Sequence, residues 1–132
     1  MRIPWSKEMM IGHLSLDSDH ERIIALVNGL NDAISTSANA GLQIDKYCQI
    51  IDCFGDHFAR EEQIMLSTKY PDADSHRKEH WYLFDQLTKM TYLFECNAPM
   101  AEQNIIAFLN KWFFHHVMIS DMKLASHLFG QT

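Results

Sequence analysis

The chain carries eight histidines in 132 residues, and several of them stand at spacings that matter for chemistry. His57 and Glu61 are four residues apart, as are His76 and His80. Four residues make slightly more than one helical turn, so each pair projects from one helix face and can hold one metal ion. His116 is followed five residues later by Asp121, a step that rotates about 140° on an ideal helix and meets a common point less comfortably. A local widening of the helix, or reach across two metals, would absorb the difference. His20 stands near the start of another periodic segment.

A single histidine on a helix is more often a core or surface residue than a ligand. The set is stronger than its members, because each of four periodic segments contributes at least one nitrogen or oxygen donor. Two octahedral ions need about twelve ligand bonds between them. Five imidazoles, two bridging carboxylates and a bridging oxide or hydroxide fill all but one of these positions. A single vacancy without a neighbouring base suits capture of a small diatomic molecule better than hydrolysis. Imidazoles with carboxylate bridges suit iron, although zinc or manganese would also fit. The ferritin-like alternative requires Glu-x-x-His on two helices, and the sequence contains no such tetrad.

The elements that must position these residues are legible in the apolar periodicity. Ile23, Ile24, Leu26, Val27, Leu30 and Ile34 recur at helical steps, opened by the capping types Asp17, Ser18 and Asp19, which predicts a helix from Asp17 to about Ser35. Ser35 to Gly41 interrupts the pattern. A second run from about Leu42 to Thr68 carries Tyr47, Ile50, Phe54, Phe58 and Met65, and Tyr70-Pro71-Asp72 turns into a third that ends near Glu95. After Asn97-Ala98-Pro99 a fourth run carries Ile105, Leu109, Trp112, Phe113, Val117 and Leu124. No segment alternates with period two for long. The expectation is an all-α, up-down-up-down antiparallel four-helix bundle. It forms one domain over 1–132, with residues 1–16 as an apolar arm packed on it through Pro4, Trp5, Met9, Met10, Ile11 and Leu14.

Composition limits the functions that remain. Eleven basic against 17 acidic residues leave a net charge of −6, which disfavours nucleic acid and anionic membranes as partners. The N-terminus lacks the apolar run of a secretory signal and no window is apolar enough to span a bilayer, so the expected location is the cytosol. Cys48, Cys53 and Cys96 form no C-x-x-C pair and read as buried or half-buried free thiols.

The chain resembles a bacterial-type hemerythrin domain from about Trp5 to Asp121. The resemblance rests on His57-Phe58-x-x-Glu61-Glu62-x-x-Met65-x-x-x-x-Tyr70-Pro71, on His76-x-x-x-His80, and on Trp112-x-x-x-His116-Val117-x-x-x-Asp121. Asp17-x-x-His20, with Asn28 and Leu30 downstream, fits the family's first helix. The resemblance implies a non-haem di-iron centre with an oxo or hydroxo bridge that binds O2 reversibly, with NO or small anions as possible ligands of the oxidised form. It assigns His76, His80 and His116 to one iron, His20 and His57 to the other, and Glu61 and Asp121 to both as bridges. The vacancy falls on the second iron.

An apolar pocket would protect such a vacancy from water, and Trp112, Phe113 and Val117 are the candidates for its lining, although large apolar residues at helical spacing also serve simply as core. Phe113 and Val117 stand where the family commonly has Leu and Ile, and Leu124 replaces a frequent aromatic. Position in the motif selects His116 over its neighbour His115, which points about 100° away. His13 and His127 have no place in the pattern. Glu62 is expected in a solvated role or a surface salt bridge, Asp17 as a cap, and Met65, Met118 and Met122 as core filler. The functional expectation is a monomeric, non-enzymatic O2 carrier or store. A sensor of O2, redox state or NO built on the same irons is the alternative, and peroxide or NO chemistry is a weaker one.

Overall fold

The computed structural model describes residues 7–96 and 101–130, apart from the side chains of residues 8, 101 and 102. A single 3-10 turn, Lys7–Met9, precedes α1 (Leu14–Ser35), α2 (Ala40–Ser67), α3 (Ala73–Glu95) and α4 (Ala101–His115). α4 continues without a break through a π-helical turn, His116–Asp121, into α5 (Met122–Leu128). Each long helix packs on the next and α4 also packs on α1, which closes an antiparallel four-helix bundle.

The helix ends follow local chemistry. Asn39 caps α2 by accepting from the Leu42 amide at 2.8 Å. α1 and α2 both finish in a left-handed residue, Ser37 at φ 54° and Lys69 at φ 56°. In each case the next amide reaches back five residues, Ala38 to the Ala33 carbonyl and Tyr70 to that of Met65. These bonds satisfy carbonyls that the helix end would otherwise leave without donors.

The first helix begins earlier than the capping pattern suggested. His13 is its N-cap, with Nδ1 accepting from the Leu16 amide at 3.4 Å. Asp17 therefore lies inside the first turn, and its carboxylate accepts instead from the amides of Ile11 at 2.7 Å and Gly12 at 3.1 Å, tying down the segment that enters the helix. Gly12 has φ 92°, a conformation that favours glycine, and a Cβ there would meet the Phe129 ring at 3.4 Å. Of the expected arm contacts, Met9 and Ile11 are buried, whereas Leu14 is 87% exposed and Met10 is 46% exposed. Leu14 opens the helix on its outer side. Pro4 and Trp5 fall outside the described residues.

The interior is layered. One apolar cluster takes Ile23, Val27, Tyr47, Phe54, Leu87, Leu109 and Phe113, among others, from all four long helices. A smaller one gathers Ile11, Leu16, Met65, Tyr70, Leu124 and Ala125. Between the two lies a layer of buried polar residues: His20 on α1, His57 and Glu61 on α2, His76 and His80 on α3, and His116 and Asp121 around the π turn. Burying polar side chains in such a layer is unfavourable unless something satisfies them.

Met65 is core, as expected, and the half-buried Met118 and Met122 pack against the larger and the smaller apolar cluster respectively. The cysteines depart from expectation: all three are free thiols, but only Cys53 is buried, and Cys48 and Cys96 are exposed. Among the described residues no helix is long and apolar enough to cross a membrane.

Candidate metal centre

The seven residues singled out by spacing meet in the middle of the bundle, each no more than 3% exposed. They divide into two groups whose donor atoms lie within 4.8 Å of one another: Glu61, His76, His80 and His116 in one, and His20, His57, Glu61 and Asp121 in the other.

The carboxylates connect these groups. Glu61 Oε1 touches His76 Nε2 and lies 3.0 Å from His80 Nε2 and 3.5 Å from His116 Nε2. Its Oε2 lies 3.1 Å from His57 Nε2. Asp121 divides its oxygens in the same way. Oδ1 is 3.0 Å from His116 Nε2 and 3.2 Å from His76 Nε2, while Oδ2 is 2.8 Å from His20 Nε2. All five imidazoles thus present Nε2, and each carboxylate turns one oxygen toward each group.

Asp121 reaches this position because of the π turn. A six-residue stretch from His116 to Asp121 winds more widely than an α-helix, so two residues five apart come onto one face. The widening that the spacing required is present in the backbone.

Hydrogen bonds account for only part of the cluster, through Glu61 Oε1 with His76 and His80. Both oxygens of Asp121, Oε2 of Glu61, Nε2 of His116 and Nδ1 of His20 are buried without a hydrogen-bond partner, although several lie within 3.2 Å of another polar atom. His20 and His57 face each other through Nε2 across 3.2 Å, a contact in which one of two nitrogens turned toward the site must donate to the other. Donors that converge without pairing are what a cation between them would satisfy.

Charge in the cluster is strongly shifted. Burial pushes Glu61 toward the neutral acid, but the four imidazoles of His116, His57, His76 and His80 hold it well below the usual carboxylate range. Burial and the charge of Glu61 also push Asp121 up, and His116 and His20 outweigh them, so it too is held low. Burial disfavours charge on His57, yet the bond to Asp19 and the nearby carboxylates of Glu61 and Asp121 raise it to about 9. His76 is likewise raised to about 9 against burial by Asp121 and Glu61. His116 rises well above its ordinary value for the same reasons. Stripped of metal, the cluster neutralises its carboxylates with protons on imidazoles, and an entering cation displaces those protons.

Three further carboxylates, whose partners the spacing does not reveal, stand behind the imidazoles. Asp19 Oδ2 lies 3.0 Å from His57 Nδ1, Glu62 Oε2 lies 2.9 Å from His80 Nδ1, and Glu79 Oε1 lies 2.9 Å from His116 Nδ1. Glu79 also accepts from the Ser120 hydroxyl at 2.6 Å. An acceptor at Nδ1 places the proton there and leaves Nε2 free to coordinate. Glu62 is therefore more than the solvated surface group expected from its position. Asp19 serves the site rather than the helix terminus.

The other histidines are elsewhere. His115 is exposed and joins neither donor group; it lines a surface cleft of about 180 Å³ that reaches His76, Glu79 and Ser120 at the edge of the site. His13 caps α1, and His127 Nε2 lies 2.9 Å from the Thr68 carbonyl. Of the expected pocket residues, Phe113 stands edge-on to His20 with ring centroids 6.0 Å apart. Trp112 stacks on His116 at 4.4 Å, on the three-histidine side. Val117 is buried in the larger apolar cluster.

Residues 14–128 match the family described as the hemerythrin HHE cation binding domain. The chain belongs to the hemerythrin family. Similar proteins include a bacteriohemerythrin of Stenotrophomonas maltophilia, 26% identical over 126 residues, or 94% of this chain and 80% of that one. A myohemerythrin of Theromyzon tessulatum is 27% identical over 124 residues, 94% of this chain and 92% of its own. A hemerythrin-like protein of Naegleria gruberi is 29% identical over 120 residues, 90% and 87% of the two chains. Hemerythrins hold a di-iron centre and bind O2, and the buried, mutually unsatisfied donors of this hemerythrin domain fit two such ions.

Proposed function

We propose that the protein binds O2 reversibly at a non-haem di-iron centre and serves as an oxygen carrier, store or donor. His76, His80 and His116 would hold one iron, His20 and His57 the other, with Glu61 and Asp121 shared between the two. The observation that carries this reading is the division of both carboxylates, each with one oxygen toward each histidine group.

When bound, the iron pair with its oxo or hydroxo bridge supplies the electrons and the vacant position that O2 requires. The chain supplies the rest. Three carboxylates fix imidazole tautomers from behind. Phe113, edge-on to His20, keeps the two-histidine side apolar, and Val117 is buried in the same apolar cluster, an environment that excludes water that would otherwise favour irreversible oxidation. Such a lining supports ligand binding in preference to catalysis. The working form in this reading is a cytosolic monomer, to be checked by sedimentation against the chain mass of 15.4 kDa.

A sensor reading draws on the π turn, since a widened turn between His116 and Asp121 is an element whose winding a change at the irons would alter. Reducing the protein anaerobically and admitting air separates the two. Two irons per chain with a reversible, oxygen-dependent visible band is the expected result. Rapid irreversible oxidation would favour sensing or redox catalysis, and a single zinc per chain would overturn the di-iron reading.

A further inference from the structure

His57 faces the same short stretch of α1 through both ring nitrogens. Nε2 faces His20 at 3.2 Å, and Nδ1 lies 3.0 Å from Oδ2 of the preceding residue, Asp19. Successive residues on a helix diverge by about 100°, so Asp19 and His20 reach around opposite sides of the imidazole. Asp19 is in turn clamped by Arg60 of α2, with Nε 2.8 Å from Oδ2 and Nη2 2.5 Å from Oδ1. This forked pairing fixes the carboxylate plane and neutralises its charge where its side chain is 11% exposed.

The two halves of the centre are braced unequally. In the three-histidine half, two imidazoles have carboxylates behind them, His80 with Glu62 and His116 with Glu79. In the other half only His57 has one, because Nδ1 of His20 is buried without a partner. Removing one brace from the first half leaves another in place. Removing Asp19 leaves none in the second.

We propose that Asp19, clamped by Arg60, is the positioning residue that orients His57, and that metal occupancy of the two-histidine half depends on it while that of the three-histidine half does not. The inference rests on the dinuclear reading above and adds a division of labour within it. The three-histidine half, richer in imidazoles and in braces, fills first; the two-histidine half fills second and relies on a single clamp.

Anaerobic titration of the metal-stripped protein with cobalt(II) against a competing chelator tests this. Wild-type protein is expected to take up two ions in two steps. Asp19→Ala should weaken the second step by about 10- to 100-fold and leave the first within about twofold. Asp19→Asn keeps the shape and an acceptor oxygen but loses the charge pairing with Arg60, and should fall between them. Circular dichroism separates positioning from collapse: a purely structural role would lower helicity or both steps together. Both steps unchanged in both variants, or both weakened equally at wild-type helicity, would overturn the proposal. If Asp19→Ala does not fold, Asp19→Asn decides alone. Wild-type protein that takes fewer than two cobalt ions removes the dinuclear reading itself, an outcome distinct from wild type taking two and the variants matching it.

Discussion

His116 and Asp121 are five residues apart, yet His116 Nε2 lies 3.0 Å from Asp121 Oδ1, because the backbone between them is π-helical. On a regular α-helix the two side chains would diverge by about 140°. The last carboxylate of the site thus depends on one widened turn, set between an apolar cluster that includes Val117 and another that includes Leu124.

Lengthening that turn should therefore cost the site at least one ion. Inserting one alanine after Ile119, which is 58% exposed, rotates Asp121 by roughly a further 80–100° away from His116. Iron per chain, measured by elemental analysis, is expected to fall from two to one or less at largely preserved helicity. Two irons in the insertion variant would show that Asp121 is not a bridge.

Glu61 and His76 should differ in what their loss removes. Glu61 contacts nitrogens in both groups, so Glu61→Ala should lower retention of both ions, each by more than about tenfold in affinity. His76→Ala removes one donor from the three-histidine half and should weaken that ion more than the other. Wild-type iron content in either variant contradicts the ligand assignment.

The metal-stripped protein should lose stability on the alkaline side. His57 and His76 are raised from 6.5 to about 9, so their stabilising contribution is complete below about pH 6.5 and disappears as pH rises through 9. Asp19 is lowered from 3.8 to about 2, because its bonds to His57 and Arg60 outweigh the opposing effect of burial, and its contribution is present above pH 3.8 and lost as pH falls toward 2. Thermal unfolding with chelator present should give the highest Tm between these limits and a fall of at least about 4 °C between pH 6 and pH 9.5. Metal affinity should move the opposite way and rise with pH, since coordination requires deprotonated imidazoles. A Tm that climbs over this range without metal would refute the protonated cluster.

Val117 offers a test of the apolar lining with little change in shape. Val117→Thr buries a hydroxyl where the wild-type side chain is 1% exposed, at a cost of about 1–3 kcal/mol. The variant should retain both irons and oxidise in air several-fold faster, as followed by decay of the oxygen-dependent band. An unchanged rate places Val117 in the core alone.

The helices, and the donors each carries, are legible in the sequence because they depend on local spacing. Apolar residues three and four apart mark the faces that pack, and His57 with Glu61, or His76 with His80, share a face whatever lies opposite. The five-residue step from His116 to Asp121 is visible in the sequence as a difficulty, and the backbone resolves it. Local spacing misplaced the start of α1: three capping types at Asp17, Ser18 and Asp19 outweighed His13 on propensity, but the amides of Ile11 and Gly12 needed Asp17 as their acceptor.

What tertiary structure alone decides is every relation across helices. Asp19 to His57, Glu62 to His80 and Glu79 to His116 are separated by 38, 18 and 37 residues, and no periodicity within one helix specifies them. The same holds for which oxygen of Glu61 or Asp121 faces which imidazole. A repeat along one helix fixes only angle about its own axis. Contacts between helices also depend on how far each rod slides along its neighbour, and that offset is set by the packing of the two apolar clusters on either side of the polar layer.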